Sequence, residues 1–468
     1  MTEIELNKGL EGLVDRKNRQ ARFSKSFEYI IDSENQRVEL SDPRIVYVNP
    51  EPRNSYGSLL VVDLYKKHNR NIRISKETDK KILRYGKKIC SGRECLPSVS
   101  ITGAVLKDIN EDRKNDEITI YRTPIDQHGP CQNGAWPLLW DTFSKRLNLK
   151  NIIFYAFPNY TNKYLGLSAE IIVSEHTNFL IGHYLIEARN ALQCIAEDKV
   201  EALMIFEDET YRFIENIKNN KKTLKTGLIQ WARNIRQIPL KTSVEETTKI
   251  LIFGGFNLMF DHYPVEDFFL EQGIIVKVVD IAESMNFILG ETSIRWGVRK
   301  GKFTPKEQFS SDLNDLTDLN EQEKKEALRA KRKRNTMKFL DSQCNLFRRL
   351  IGKSGLLFDS YADFVDLLEE GNKYVSSNSF TETPLIVGRF MHSIKEEIYD
   401  GLINLGTFNC QPAMNSQAII RPLANKSNIP YAAIDCEGPW ISTNQRRLLE
   451  TIAVQAKRIR EKKNLNLK

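Results

Sequence analysis

The chain has 468 residues and a formal net charge of +8; 41% of the residues are hydrophobic and 28% are charged, a balance typical of globular proteins and enough chain for about three domains. No apolar run approaches the roughly 20 residues that cross a bilayer, and the N-terminal stretch lacks an apolar core, so neither a membrane span nor a secretory signal is expected. The seven scattered cysteines exclude a disulfide framework and predict a reducing, cytoplasmic setting, where thiols more often bind metal or catalyse.

Short apolar runs rich in β-branched residues alternate along the chain with amphipathic helical patterns. Strand, helix and strand at this spacing predict an α/β fold built from parallel βαβ units. Ligands of such sheets bind beyond the carboxyl ends of the strands, so the loops after strands are the first places to look for function. The predicted strands are 44–50, 58–64, 151–157, 249–255, 274–280, 401–408 and 431–435. The predicted helices include 264–273, 384–401 and 444–463.

The same patterns divide the chain into an N-terminal extension with short strands at 1–80, a first α/β domain at 81–245 and a second at 246–468. A helical insertion at about 295–375 interrupts the second domain and carries the basic block 331–334. Such a block is typical of a solvated helix face, with a phosphate or acidic partner as the alternative. No nucleic-acid-binding fold is recognisable, which argues against a nucleic-acid partner.

Three cysteines share one local pattern, in which a thiol with a proline nearby precedes a helical stretch. They are Cys95 in GRECLP, Cys131 in HGPCQN and Cys410 in FNCQPA. Helix N-termini favour the thiolate form of cysteine, and their free N–H groups can donate to the sulfur atoms of a cluster. The pattern therefore favours metal ligation by these three thiols.

The other cysteines are of two kinds. Cys90 precedes Cys95 closely and either joins its site or belongs to the core, and Cys436 follows a predicted strand with both interpretations open. Cys194 and Cys344 lie inside helical patterns, which favours buried structural thiols. Zinc is disfavoured because structural zinc sites usually take cysteines in close Cys-x-x-Cys pairs, and this sequence contains none.

With these motifs in this order, the chain resembles the 2-hydroxyacyl-CoA dehydratase and CoA-substrate-specific activase-associated family, which includes the double-cubane iron–sulfur proteins. The C-terminal stretch YAAIDCEGPWISTNQRRLLE is also similar to the family's ending, and the resemblance extends from about residue 80 to 460. It implies tandem Rossmann- or flavodoxin-like domains with an iron–sulfur site in the interdomain cleft. The ligands that it implies are Cys95, Cys131 and Cys410 for a [4Fe–4S] cluster, with Cys90 and Cys436 as the next candidates for a double-cubane cluster.

The resemblance further implies low-potential electron transfer or reductive chemistry, in a homo- or hetero-oligomer, with electrons from a separate ATP-hydrolysing activator. The segment LIGKSG at 350–355 is not a phosphate loop, because Phe347 occupies the position of its first glycine. Gln132 follows Cys131 where the family often has an arginine, so the known substrates are not carried over. The alternative is a non-catalytic cluster-binding or scaffold subunit of a larger redox assembly.

Two residues near the cysteines are candidates for proton transfer. His128 lies three positions before Cys131, and an imidazole there could donate a proton in the site; an ordinary loop histidine is the alternative. Glu94 is the neighbour of Cys95 and the best carboxylate candidate, with a turn or capping role as its alternative.

Overall fold

The structure is a computed structural model that describes residues 20–50, 55–75, 77–123, 131–156, 165–255, 263–314, 317, 319–379 and 381–466. The chain divides into two compact units, Met1–Phe179 and Leu180–Lys468, and each contains one four-stranded parallel sheet. The predicted α/β class with two parallel sheets in tandem is therefore confirmed. The division falls inside a long helix and not at residue 245.

The first unit begins with a small antiparallel sheet that precedes its main parallel sheet. The small sheet consists of β1 (Arg22–Phe23), β2 (Tyr29–Ile31) and β3 (Arg37–Glu39). The main sheet has the order β5-β4-β6-β7 and consists of β4 (Ile45–Asn49), β5 (Asn71–Ile74), β6 (Ile118–Thr123) and β7 (Ile152–Ala156). The helices are α1 (Ser55–Lys67), α2 (Lys80–Lys87), α3 (Leu96–Lys107), α4 (Trp136–Arg146) and α5 (Ala169–Ile195).

The strand predicted at 58–64 is wrong, because these residues lie in α1. Its valines favour a strand, yet Leu60, Val61 and Tyr65 are buried while Leu59 is exposed, which is the spacing of one helical face. Strands β4 and β5 lie within 1–80 but pair in the main sheet, so this part of the chain belongs to the first α/β unit and not to an extension.

Strands β5 and β6 escaped prediction because each contains an arginine that interrupts its apolar pattern. Arg122 in β6 is buried and forms an ion pair with Glu175 at 2.8 Å. Arg73 in β5 bonds Asp108 and Glu117, each at 2.8 Å. A buried charge is tolerated when it is paired in this way, and the pairing is invisible in the sequence.

The second unit repeats the strand order of the first, since its strands occur in the order β11-β10-β8-β9. They are β8 (Lys249–Gly254), β9 (Ile275–Val278), β10 (Gly401–Thr407) and β11 (Tyr431–Cys436). The helices are α6 (Lys199–Lys218), α7 (Leu224–Ile235), α8 (Tyr263–Leu270), α9 (Ile281–Arg299), α10 (Pro305–Ser310), α11 (Glu321–Gly352), α12 (Phe364–Asn372), α13 (Thr383–Glu396), α14 (Gln411–Ala424) and α15 (Thr443–Asn466). In both sheets the strand that comes first along the chain pairs with the second and the third, and the fourth pairs with the third.

A pair of closely crossing helices precedes the third strand of the first sheet. In the pair α2–α3, Gly86 faces the carbonyl group of Val99 and Gly103 faces that of Ile82. A Cβ atom at either glycine would overlap the facing carbonyl oxygen. The two backbones can approach this closely only because both positions lack a side chain.

The second unit contains the same crossing before its own third strand. In the pair α12–α13, Gly371 faces the carbonyl group of Pro384 and Gly388 faces that of Leu367. The two glycines are equally far apart along the chain in both pairs. The two units therefore share strand order, helix pair and crossing geometry, which makes them structural repeats of one another.

When the helices of the two units are matched in order, the second unit has three additional helices, α9, α10 and α11, at 281–352. The insertion predicted at about 295–375 overlaps these helices but also includes α12, which has a counterpart in α2. The basic block lies in α11, where Lys331 and Arg332 are exposed, as expected for a solvated helix face. Among the described residues, no helix is long and apolar enough to cross a membrane.

A buried ion cluster connects this insertion to the second sheet. It consists of Glu187 on α5, Lys277 on β9, Asp280, Arg348 on α11 and Asp359, all less than a tenth exposed. The Lys277 ammonium group donates a hydrogen bond to Glu187 and lies 3.6 Å from a carboxylate oxygen of Asp280. The Arg348 guanidinium group donates to both carboxylate oxygens of Glu187, each at 3.0 Å. Each charge thus has an opposite partner, which such deep burial requires.

Candidate functional site

The third strand of each sheet leads to a cysteine that precedes the next helix. In the first unit, Cys131 is the first described residue after β6 and precedes a short 3₁₀ turn and α4. In the second, β10 ends at Thr407, whose carbonyl oxygen accepts a bond from the Cys410 N–H at 3.0 Å, just before α14. Both third strands adjoin the first strand of their sheet, where the strand order reverses and open parallel sheets bind ligands. Each thiol therefore lies at the ligand-binding edge of its own sheet.

Cys95 and Cys410 are both N-cap residues of helices that have a proline in the first turn, Pro97 and Pro412. Neither side chain forms a capping hydrogen bond, so neither sulfur is used to satisfy its own helix end. Cys95 is buried, and Cys131 and Cys410 are half-buried. Partial burial next to the positive end of a helix is an environment that favours a thiolate.

Cys95 and Cys131 are connected through Gln132. The backbone N–H of Cys95 donates to Oε1 of Gln132 at 2.9 Å. A second bond joins α3 and α4 themselves, where Nε1–H of Trp140 donates to the Thr102 hydroxyl at 3.1 Å. Both bonds occur in the same order along α3 and α4, so the helices lie side by side, run in the same direction and bring these two cysteine segments to the same end.

Glu94 turns back into its own loop. Its carboxylate accepts bonds from the backbone N–H groups of Ser91, Gly92 and Arg93 at 3.0–3.2 Å. Partial burial by itself raises the pKa of Glu94, but these hydrogen bonds outweigh it and hold the pKa below its ordinary value. The geometry thus favours the turn role over proton donation, because an ionised carboxylate has no proton to give.

The remaining candidates are less well placed as ligands in this conformation. Cys90 is buried, and burial, with a contribution from Glu94, raises the pKa of its thiol to about 11. Cys436 is the last residue of β11 and is also buried, and its carbonyl oxygen accepts a bond from the Phe408 N–H at 2.9 Å. His128 lies outside the described residues.

The predicted structural role of Cys194 and Cys344 is supported by their environment. Both are buried within helices, α5 and α11. Burial raises the pKa of Cys194 to about 12 and raises that of Cys344 further still. All seven cysteines are free thiols, so none is withdrawn from chemistry by a disulfide.

Cys95, Cys131 and Cys410 are the thiols that the sequence singles out as possible metal or cluster ligands. Within the described part of the chain, no three His, Cys, Asp or Glu side chains gather closely enough to bind one ion. The cysteines of a cluster bind different iron atoms, so their sulfurs do not have to converge on a single point. Cys95 and Cys410 precede helix N-termini, whose N–H groups can donate to sulfur.

Two features of the site escaped the sequence patterns. The bond from Gln132 to Cys95 spans two distant segments, and no local signal marks it. The glycine crossing of α2 and α3, which precedes Cys95, could have been found by aligning Gly86 and Gly103 with Gly371 and Gly388. In that alignment Phe380, which lies outside the described residues, takes the position of Cys95, so the first repeat has two of the three cysteines and the second has one.

Maleimide labelling of the metal-free protein near neutral pH should modify Cys131 and Cys410 well before Cys90, Cys194 and Cys344. The reagent attacks the thiolate, and the last three thiols are buried with raised pKa values. Mass spectrometry of digested samples at successive times gives the order, and labelling in urea should modify all seven. Early labelling of Cys90 in the folded protein would contradict its assignment to the core.

Comparison with protein-family models and with curated proteins finds no match to this sequence.

Proposed function

We propose that this protein binds an iron–sulfur cluster, either [4Fe–4S] or double-cubane, through Cys95, Cys131 and Cys410, and works in low-potential electron transfer or reductive chemistry. One observation carries the proposal: a thiol precedes the helix that follows the third strand in both repeated units. That position combines the ligand-binding edge of a parallel sheet with the thiolate-stabilising end of a helix. Neither feature depends on the family resemblance.

When bound, a cluster of this kind supplies one-electron chemistry at low potential. The chain contributes three thiolates and the helix N-terminal N–H groups beside them, which offset negative charge on sulfur. Pro97 and Pro412 restrict the first turns of α3 and α14 and so define how each loop approaches the sulfur. The Glu94 carboxylate holds the turn that leads into Cys95.

The electrons are proposed to come from a separate ATP-hydrolysing activator in the cytoplasm. The chain's nearest approach to a phosphate loop, at 350–355, forms the last turn of α11 and the residues after it, whereas a phosphate loop joins a strand to a helix.

A second candidate is a non-catalytic cluster-binding or scaffold subunit of a larger redox assembly. It is favoured by three large apolar side chains near the carboxyl ends of β10 and β11. Phe408, Met414 and Trp440 are 47%, 52% and 38% exposed. Exposed aromatic and methionine side chains near a candidate cluster ligand suit contact with a partner protein.

The test is the iron and acid-labile sulfide content after anaerobic purification with the native partners. We expect about four irons per chain for one cubane, or about eight for a double-cubane cluster, in which case Cys90 and Cys436 become the next ligands to replace. C95A, C131A and C410A should each lose most of the iron, whereas C194A, a buried helical control, should retain it. Wild-type protein without iron, or iron that survives all three ligand substitutions, would overturn the proposal.

The same preparations separate the two candidate functions. A substrate-reducing protein should have a dithionite-reduced cluster that reoxidises on turnover. A scaffold should retain its partner and iron without turnover, and M414E should release the partner while leaving the iron content unchanged.

A further inference from the structure

We propose that Gln132 is a positioning residue that holds Cys95 beside the segment of Cys131, and so presets these two thiols as a pair within the first unit. The inference rests on the proposed function for its purpose, because a cluster would use both thiols as ligands. Its structural part concerns the protein without any cluster and can be tested there.

The direct evidence is the bond from the Cys95 N–H to Oε1 of Gln132 at 2.9 Å. Cys95 is the N-cap of α3: its carbonyl oxygen accepts a bond from the Val99 N–H at 3.3 Å, and its side chain forms no capping bond. The amide of Gln132 therefore restrains the backbone from which the Cys95 side chain projects. Because Gln132 is covalently next to Cys131, any movement of one cysteine segment is transmitted to the other.

The second bond, from Trp140 to Thr102, determines which part of α3 and α4 the Gln132 contact restrains. It is buried and holds α4 against α3 about two turns away from the cysteines. With that point held, the remaining freedom of the two helices is a splaying of their N-terminal ends. The Gln132 bond joins the ends that would splay, so its loss should loosen the thiol pair without separating the helices.

The chain offers a matched control for this residue. Gln411 follows Cys410 as Gln132 follows Cys131, so both units contain a Cys-Gln pair at the start of the same repeated element. Gln411 is exposed in the first turn of α14. Replacing it removes the same chemical group beside a cysteine while leaving the Cys95 contact intact.

The first measurement is hydrogen exchange of the Cys95 amide in the metal-free full-length protein. Q132A should accelerate this exchange by about tenfold or more, because the amide loses its acceptor. Q132E should preserve protection, since a carboxylate oxygen accepts the same bond, and Q411A should leave it unchanged. A melting temperature close to wild type for each variant establishes that the fold is retained.

The second measurement is cadmium binding to the same protein, which reports thiolate ligation without iron, sulfide or turnover. C95A and C131A define the background without the pair. Q132A should weaken the pair-dependent affinity by about tenfold, the lower end of what the loss of an orienting hydrogen bond costs a metal site. Q132E and Q411A should bind as wild type does.

Unchanged hydrogen exchange of the Cys95 amide in Q132A would overturn the inference. Faster exchange of that amide with an unchanged cadmium affinity would also overturn it, because the hydrogen bond would then exist without positioning the thiols. Wild-type cadmium binding that survives in C95A and C131A would overturn it as well. A protein that lacks iron but shows the Q132A effects would refute the proposed function alone. Iron that is present with no effect of Q132A would refute this inference alone.

Discussion

K277M should lower the free energy of unfolding of the second unit by about 3–5 kcal/mol. Lys277 is only 2% exposed and faces Glu187, Asp280 and Asp359. Burial and Arg348 lower the pKa of Lys277, but the three carboxylates outweigh them and keep the ammonium group protonated. Without it, Arg348 is the one remaining cation of the described residues within 4 Å of Glu187 and Asp359, so the three buried carboxylates lose much of their compensation.

The control for this substitution is K218M on α6. Lys218 pairs with Glu215 at 2.9 Å, but both side chains are about half exposed, so the loss should be small beside that of K277M. Urea denaturation of both variants measures the two effects on one protein. A loss of less than about 1 kcal/mol for K277M would show that the cluster repacks or admits water when the ammonium is removed.

The same cluster should make the second unit sensitive to acid. Burial by itself raises the pKa of Asp280, but Lys277 and Arg348 outweigh it and hold the pKa well below its ordinary value. A carboxyl group whose pKa is lowered by folding stabilises the folded state fully at pH values above the ordinary pKa of an aspartate. This contribution to the free energy of unfolding is lost as the pH falls through the lowered, folded-state pKa.

G388A should destabilise the second unit by about 3 kcal/mol, the upper end of what overpacking usually costs. The new methyl group would overlap the carbonyl oxygen of Leu367, which belongs to the backbone of α12 and cannot move aside as a side chain would. Relief requires α12 and α13 to separate, which opens the contact just before the third strand. G103A in the first unit should act in the same way against Ile82.

Gly352 provides the contrasting case, because it ends α11 in open space with its nearest neighbour, Cβ of Leu357, 4.0 Å from an added methyl group. G352A should therefore be neutral or stabilising, by at most about 1 kcal/mol, since alanine is the better helix former. Thermal unfolding of the three variants is a direct comparison. Equal stability of G388A and G352A would contradict the close crossing.

Much of the fold could be predicted because its buried strands are apolar along their whole length. β8 and β10 were recognised in this way, and the helices after Cys95 and Cys410 were recognised from their prolines and apolar spacing. The helix α1 was mistaken for a strand because its valines favour extended structure. The apolar pattern of β6 is interrupted by Arg122, so the sequence does not predict this strand. Arg122 is tolerated in the interior because it forms an ion pair with Glu175.

Some features of the candidate site can likewise be predicted from neighbouring residues, whereas others depend on contacts between distant segments. The placement of Cys131 and Cys410 ahead of helices follows from residues next to them in the chain, so the sequence was enough to single them out. The connection of Cys95 to Gln132 and the turning of Glu94 into its own loop depend on where the backbone places N–H groups. No property of either side chain alone specifies such a partner.

Elements with local causes are readable from the chain before it folds: apolar strands, helices with prolines in their first turns, and thiols at helix starts. That the two units share one strand order became visible only in the folded chain, although the spacing of their glycines is present in the sequence. The tertiary structure also decided which buried charges neutralise one another in the ion cluster. The difference arises from separation along the chain. Propensity and periodicity depend on a few neighbouring residues, whereas close backbone contacts and buried ion pairs join residues that are far apart in the sequence.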